Sequence, residues 1–238
     1  MTAVSTDLAI VSTLRQLPLF MGMSDMELKE ILARVKCLYR KVGPGEPIVS
    51  QGDRSGSLWM VVGGTFTTTA YSADYDYSVT EYLHSPALLQ IECAFGWQQR
   101  FTRTYKAETP CNLMTISKTE LQQLCSDSLI FRINLLNILS TSLQKSKMAV
   151  WANAPKDMRD RLAHFLLSHF EYPAGHKVFK IRMERLAEEL RRARLAGYSG
   201  GSAVKGLTRI IALSLFLFLF LHGQHAYGKP YLYLMPYP

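Results

Sequence analysis

The sequence predicts an α+β protein in which an antiparallel β-roll comes first, a long helix follows and a small basic helical domain comes last. Three observations predict this order. Residues 37–116 consist of short alternating apolar runs separated by Gly, Pro and Asp, as in small barrels and rolls. Residues 128–151 carry apolar side chains at helical spacing. Residues 156–238 hold 13 Lys and Arg against 6 Asp and Glu, whereas residues 1–155 hold 14 against 13.

Composition and charge narrow the class of protein. The 238 residues are 48% hydrophobic and 19% charged, which is enough to bury a core and is not a disordered composition. The excess positive charge near the C-terminus suits a polyanion partner, because each phosphate contact releases counterions. A basic surface that serves only solubility is the alternative.

The N-terminal segment, residues 7–36, has helical spacing. Ser24 is a predicted N-cap, and Glu27 completes a capping box ahead of an apolar stripe. Turns and a hairpin tip are then predicted at 43–47, 51–56 and 71–78. We assign residues 1–127 to a β-roll domain with an N-terminal helix.

The long helix is apolar around much of its circumference. One stripe consists of Leu129, Ile133, Leu136, Leu143 and Val150. The apolar surface is widened by Phe131, Leu135, Ile138 and Leu139. Such a helix must be covered on more than one side, by its own roll and by a second copy of the chain. We assign residues 128–153 to a dimerisation helix, with a wholly intramolecular core helix as the alternative.

The cysteines and the N-terminus indicate a cytoplasmic protein. Cys37, Cys93, Cys111 and Cys125 are scattered and form no metal-ligand spacing or disulfide framework. The N-terminus lacks the basic and apolar regions of an export signal. The apolar run at 210–221 is shorter than the ~20 residues that a membrane-spanning helix needs.

Four stretches resemble one known family when they are taken in order. They are "PIVSQGDRSGSLWMVVGGTF" (47–66), "KAETPCNLMTIS" (106–117), "DMRDRLAHFLLSHF" (157–170) and "KIRMERLAEELRRARLA" (180–196). Their order and spacing resemble the Crp/Fnr family of bacterial transcription regulators. The resemblance implies a cyclic-nucleotide-binding-like roll (a double-stranded β-helix), a homodimer and a winged helix-turn-helix domain that binds double-stranded DNA. We assign that last domain to residues 154–209.

The sensor half departs from the family's cyclic AMP pattern. Family members that bind cyclic AMP carry a Gly-Glu pair and, after a short loop, an Arg-Ser pair that holds the phosphate. Here Ile91 precedes Glu92, and Phe101 and Thr102 take the Arg-Ser place. Cyclic AMP is therefore disfavoured. The candidate effector pocket consists of Glu92, Phe95, Arg100, Arg103 and Tyr105.

Cofactor chemistry is left undetermined by the sequence. An iron–sulfur cluster is disfavoured, because no closely spaced cysteines occur near the N-terminus. Haem stays an alternative, with His84 and Cys93 as axial ligands, although an ordinary structural role fits each better. His164 and His169 are five residues apart, off the spacing of a helical metal site, and are expected to lie on the surface or to cap a helix.

The resemblance also assigns the DNA-reading residues. Leu186 and Ala187 fit the family's first helix, and Arg191 and Arg192 stand where it has a turn. Arg194 would then read a base edge in the major groove. Candidate phosphate contacts are Arg191, Arg192, Lys180, Arg182 and Lys205, with a solvated basic face as the alternative for each.

The resemblance ends at Ala196. Gly197, Gly200 and Gly201 would cost a recognition helix roughly 3 kcal/mol relative to alanine. Read one base later, codons for Gly-Tyr-Ser-Gly-Gly can encode Val-Thr-Arg-Ala, which restores the family pattern. We hypothesise a reading-frame slip near codon 197, which sequencing the gene tests. The alternative is a genuine apolar tail at 210–238, serving as a strand, a dimer contact or, least favoured, a membrane-surface anchor.

These observations predict a cytoplasmic, homodimeric, ligand- or redox-responsive transcription regulator with an unknown small-molecule effector. The alternative is a sensor and dimerisation module that acts through protein contacts after losing its DNA-reading head. An enzyme is not expected, because the sequence contains no phosphate loop, nucleophile elbow or HExxH motif.

Overall fold

The computed structural model describes residues 3–150, 157–172, 175–195 and 232–234, which fall into two units. The first unit ends at Val150 and leaves out the hairpin tip Tyr71–Val79. The second unit contains that tip and the described residues from 157 onward. Within these ranges no helix combines the length and apolarity needed to cross a membrane. Apart from 232–234, the predicted tail lies outside the described residues.

Two helices and a 3-10 turn precede the roll. They are α1 (Ala3–Leu14), the 3-10 helix Pro18–Phe20 and α2 (Asp25–Arg34). The predicted capping box is confirmed, because Ser24 N donates to Glu27 Oε2 at 2.8 Å and Glu27 N donates to Ser24 Oγ at 3.3 Å. Leu28 and Ile31 then bury the inner face of α2 in the core of the first unit.

Eight strands form the predicted roll. They are β1 (Cys37–Val42), β2 (Pro47–Val49), β3 (Ser57–Gly63), β4 (Thr65–Tyr71), β5 (Ser78–His84), β6 (Ala87–Leu89), β7 (Thr104–Ala107) and β8 (Cys111–Ser117). One sheet has the strand order β1-β8-β3-β6, and the other has β5-β4-β7-β2 in this part of the chain. A 3-10 helix, Ile91–Ala94, follows β6.

A glycine pair lets β3 turn into β4. Gly64 has φ +97°, and a Cβ at this position would lie 2.5 Å from the carbonyl oxygen of Pro110. Only glycine fits so close to the backbone at this φ. After the turn, β4 pairs antiparallel with β7, and Thr68 stands opposite Tyr105.

Helices α3 (Lys118–Asp127) and α4 (Leu129–Val150) follow the roll. α4 is the predicted long helix, and Phe131 and Leu135 on one of its faces are 0% and 6% exposed. The ring of Phe131 lies 5.7 Å from that of Phe20. Asn134 Nδ2 donates to the Leu19 carbonyl at 3.0 Å and so fixes α4 against the N-terminal segment.

The described part of the second unit consists of α5 (Met158–Ser168), β9 (Lys177–Lys180), α6 (Met183–Leu195) and β10 (Leu232–Leu234). β10 pairs antiparallel with β9. Asp157 caps the N-terminus of α5, and His169 is its C-terminal cap. His164 is exposed, so both histidines lie on the surface or cap a helix, as the sequence predicts. The unit's core contains Phe165, Phe179, Ile181, Leu186 and Leu190 together with Val79 of the hairpin tip.

Helix α6 corrects one sequence expectation. The predicted turn at Arg191 and Arg192 is absent, and the helix runs without a break from Met183 to Leu195. Arg, Ala and Leu are strong helix formers, and the glycine that would end the helix at this point is missing. Any second helix of a helix-turn-helix therefore falls after Leu195, outside the described residues.

Candidate functional site

The interior of the roll contains a charged pair beside β7. Arg103 Nη1 lies 2.9 Å from Glu81 Oε1 of β5, and the two side chains are 12% and 1% exposed. A buried charge is tolerated only when it is paired and hydrogen-bonded. The carboxylate of Glu81 therefore compensates the guanidinium that the sequence placed in the effector pocket.

Buried aromatic rings pack against one another in the roll. Tyr105 and Phe101 are buried, with ring centroids 6.4 Å apart, and Phe66 lies 6.3 Å from Tyr105 on the other side. Phe101 also meets Trp59 edge to face at 6.3 Å. Apolar contacts of this kind fix each ring in place.

Gln90 closes the loop where the resemblance placed the phosphate contacts. It has φ 36°, and its side chain is buried. Its Nε2 donates to Thr102 Oγ1 at 2.5 Å, and its Oε1 accepts from Thr102 N at 3.0 Å. Phe101 and Thr102 thus stand in the Arg-Ser place as a buried phenyl ring and a hydroxyl bonded to an amide. These residues do not fit the phosphate of a cyclic nucleotide.

The five predicted pocket residues do not converge. Arg103 and Tyr105 face the interior, whereas Glu92 and Arg100 are exposed. Phe95 is half-buried, with Lys118 Nζ 5.2 Å from its ring centroid. Arg100 instead lies opposite Arg54, a residue that the sequence reasoning missed.

The residues considered for redox chemistry are poorly placed for it. Cys93 is buried and His84 is exposed, and the described residues contain no cluster of His, Cys, Asp or Glu that could hold a metal ion. Burial, with a smaller contribution from Glu120, raises the pKa of Cys37 to about 11. Burial also raises the pKa of the Cys111 and Cys125 thiols. Cysteines that sense oxidants have lowered pKa values instead.

Helix α4 leaves the predicted dimer stripe uncovered. The described members are Leu129 (61% exposed), Ile133 (45%), Leu136 (53%) and Leu143 (56%). Val150 is the last described residue of the helix, and its side chain lies outside what the structure describes. The opposite face packs into the core of the first unit, so α4 has one buried face and one apolar face that no described residue covers.

The predicted DNA contacts are only partly described. Lys180 and Arg191 are exposed. Arg182 is exposed but lies 2.5 Å from Asp76 of the hairpin tip. Arg192 and Arg194 lie in α6 with undescribed side chains, and Lys205 lies outside the described residues.

The hairpin tip contributes a cluster that the sequence reasoning did not anticipate. Arg185 of α6 lies 2.8 Å from Asp74 and 2.9 Å from Glu189. Tyr77 stacks on Phe179 at 5.9 Å, and its hydroxyl lies 3.2 Å from His169 Nε2. The sequence could have indicated this cluster, because "ADYDYS" places two carboxylates and two phenol rings on a predicted hairpin tip.

Residues 39–128 match the family model of the cyclic nucleotide-binding domain. No curated protein matches the chain. Among solved structures, the catabolite activator protein of Thermus thermophilus is 21% identical with a TM-score of 0.53, and the match covers 84% of this chain and 100% of that one.

Two further solved structures are similar over different lengths. The N-terminal domain of a transcriptional regulator from Streptomyces coelicolor is 22% identical with a TM-score of 0.47, covering 61% of this chain and 99% of that one. The c-di-GMP-responsive global regulator of Xanthomonas campestris is 21% identical with a TM-score of 0.47, covering 90% and 100%. The family model and the Thermus thermophilus structure show that the roll has the cyclic nucleotide-binding fold, as the resemblance implied.

Proposed function

We propose that this chain is a cytoplasmic DNA-binding transcription regulator of the Crp/Fnr type that works as a homodimer. One observation carries the proposal. A cyclic nucleotide-binding fold is followed by a long helix with an exposed apolar stripe, and a basic helical unit comes after that helix. In a ligand-responsive regulator these three parts would bind the ligand, form the dimer and bind DNA. We assign no catalytic role to any residue.

Dimerisation is supported by the exposed face of α4. Leu129, Ile133 and Leu136 are 45–61% exposed at spacings of four and three residues, the pattern of a helix seam. Burying such side chains stabilises by roughly 25 cal/mol per Å² of apolar surface removed from water. A twin helix offers a matching stripe, because a two-fold interface places the same patch on both sides.

DNA binding is supported by the charge of the second unit. Its exposed cations include Lys180, Arg182 and Arg191, which suit phosphate contacts. We assign further phosphate contacts to Arg192 and Lys205. In the dimer, two such units would meet the duplex one helical turn apart. Arg194 lies in α6, so we propose that it reads a base edge from the C-terminal end of that helix.

The signal that we propose is a small molecule. The interior residues of the roll do not fit a cyclic nucleotide phosphate, and the raised pKa values of three cysteines disfavour thiol redox sensing. A ligand would act by shifting α4, which would in turn re-aim the two basic units.

Selection of binding sites from random duplexes tests the proposal. The unaltered chain is expected to enrich a two-fold symmetric sequence. Arg194→Ala should relax the preference at one position per half-site, whereas Lys180→Gln should weaken binding equally for all sequences. An unchanged preference in Arg194→Ala would remove that residue from the reading role. A lack of binding even in dilute buffer would favour the alternative, a module that acts through protein contacts.

A further inference from the structure

Two arginines of the roll stand opposite each other, and no described carboxylate pairs with either of them. Arg54 and Arg100 form an antiparallel bridge, held by backbone bonds from Ser55 N to Gln99 O (3.0 Å) and from Phe101 N to Asp53 O (2.9 Å). Like charges directly opposite each other are destabilising. Arg100 Nη1 donates to the Gly52 carbonyl at 2.6 Å, and within the described ranges neither arginine pairs with an acid.

A third cation lies beside this pair. Lys118 Nζ donates to Gln99 Oε1 at 3.2 Å, and its backbone N–H donates to the Gly56 carbonyl at 3.3 Å. The nearest acid in the sequence, Asp53, uses its carboxylate to cap its own turn, since Oδ2 accepts from Ser50 N at 2.8 Å. Positive charge therefore exceeds negative charge here, which favours an anion.

The indole ring of Trp97 adds a flat apolar surface next to these cations. Trp97 is 98% exposed and follows Gly96, which has a left-handed backbone with φ +82°. Trp97 lines one groove of about 610 Å³ together with Arg54, Ser55, Gly56, Gln98, Gln99 and Arg100. An indole next to guanidinium and amide groups matches a planar, hydrogen-bonding ring that carries negative charge.

We propose that this groove binds a nucleotide with a free phosphate group. The phosphate contacts the guanidinium groups of Arg54 and Arg100, and the base stacks on Trp97. The volume lies in the range of small-molecule sites, roughly 300–1,000 Å³. The groove opens to solvent and is distinct from the roll interior, where Phe101 and the Glu81–Arg103 pair lie. The proposal stands independently of DNA binding.

Titration calorimetry on the full chain tests the proposal, with adenosine triphosphate, pyrophosphate and adenosine as probes. Adenosine triphosphate should bind more tightly than either fragment, because only the whole nucleotide reaches both the cations and the indole. Arg100→Gln and Trp97→Ala should each weaken its binding about tenfold or more. Lys29→Gln is the matched control, since Lys29 is an exposed cation on α2 that does not line the groove, and it should leave the affinity unchanged.

Three results would overturn the proposal. They are no heat of binding at millimolar nucleotide, equal affinity for pyrophosphate and the nucleotide, and unchanged affinity in both groove variants. Circular dichroism of each variant shows whether it is folded, and Arg100→Lys, which keeps the charge, should retain more affinity than Arg100→Gln. DNA binding is measured separately, so either proposal can fail without the other.

Discussion

Arg185 of α6 donates a hydrogen bond to Asp74 of the β4–β5 hairpin tip, with 2.8 Å between Nη2 and Oδ2. The pKa of Asp74 lies below its ordinary value, first because the Ser72 hydroxyl donates to the carboxylate and then because Asp76 N does so, with Arg185 adding to the effect. The stabilisation that this contact gives the folded chain is therefore complete at pH values above 3.8, the ordinary pKa of an aspartate. It is lost as the pH falls through the lowered pKa of Asp74, where the carboxylate takes up a proton. It persists at neutral pH.

Removing Arg185 should destabilise the second unit. Its guanidinium, 16% exposed, lies within 4 Å of the carboxylates of Asp74, Asp76, Glu188 and Glu189. Arg185→Gln leaves these negative charges facing one another, so we expect a lower Tm by circular dichroism and a larger loss than in Asp74→Asn. The control, Arg159→Gln on the exposed side of α5, should leave Tm unchanged. A Tm equal to that of the unaltered chain would show that the cluster is not stabilising.

Releasing Arg182 from the hairpin tip should strengthen DNA binding. Arg182 is 63% exposed, and its partner Asp76 competes with phosphate for the same guanidinium. Asp76→Asn removes that competitor, so we expect several-fold tighter binding to duplex DNA. The slope of log affinity against log salt concentration should also steepen by the amount that about one additional phosphate contact gives. Fluorescence anisotropy measures both. Weaker binding in Asp76→Asn would mean that the tip positions Arg182 for DNA instead of competing for it.

Removing one member of the buried Glu81–Arg103 pair should lower the free energy of unfolding strongly, whereas replacing both with apolar residues should lower it little. Arg103→Met leaves Glu81 buried and without the guanidinium, so we expect urea denaturation to show a loss of roughly 3–5 kcal/mol. The double variant Glu81→Leu with Arg103→Met should recover most of that loss, because both charges are gone. Equal losses in the single and double variants would show that other contacts of these residues dominate.

Charges on the exposed stripe of α4 should separate the dimer. Ile133 and Leu136 are 45% and 53% exposed, so replacing them should leave the chain's own core intact. We expect the unaltered chain to sediment with the mass of two chains and Ile133→Glu/Leu136→Glu with the mass of one. Leu167→Glu, at an exposed leucine of α5, is the control and should stay dimeric. A mass that is the same for the unaltered chain and the double variant would contradict the assigned interface.

Cys37 should react slowly with alkylating reagents. With its pKa near 11 instead of 9.0, about one thiol in a thousand is ionised at pH 8. Peptide mapping after iodoacetamide treatment should find Cys37 modified far more slowly in the folded chain than in urea. Since the pKa is raised on folding, its contribution to stability is full below pH 9 and declines as the pH rises toward 11. Fast modification at pH 8 would restore the redox hypothesis.

Local signals in the sequence predicted the elements that depend on neighbouring residues. The capping box at Ser24, the hairpin tip at 71–78 and the long helix depend on contacts or periodicities within a few residues, and the structure contains all three. Arg185 with Asp74 and Arg54 with Arg100 join residues distant in the chain. Their contacts depend on tertiary packing, which periodicity does not encode.

The turn expected at Arg191 and Arg192 failed for a physical reason. It was carried over from the family pattern, whereas the local sequence offers only helix formers as far as Leu195. At this position the helix propensity of the local sequence predicted the structure better than the family pattern did. The predicted effector residues also failed to converge, because Arg100 forms an isolated bridge with Arg54 and lines a solvent-open groove instead of the interior of the roll.

The central claim is that the basic second unit, paired through α4, binds the phosphates of duplex DNA. Anisotropy of a labelled random duplex, titrated with the full chain at several salt concentrations, measures this directly. The account predicts binding in dilute buffer that weakens steeply with salt, with log Kd rising linearly against log salt concentration. No binding in dilute buffer, or an affinity that does not change with salt, would contradict it.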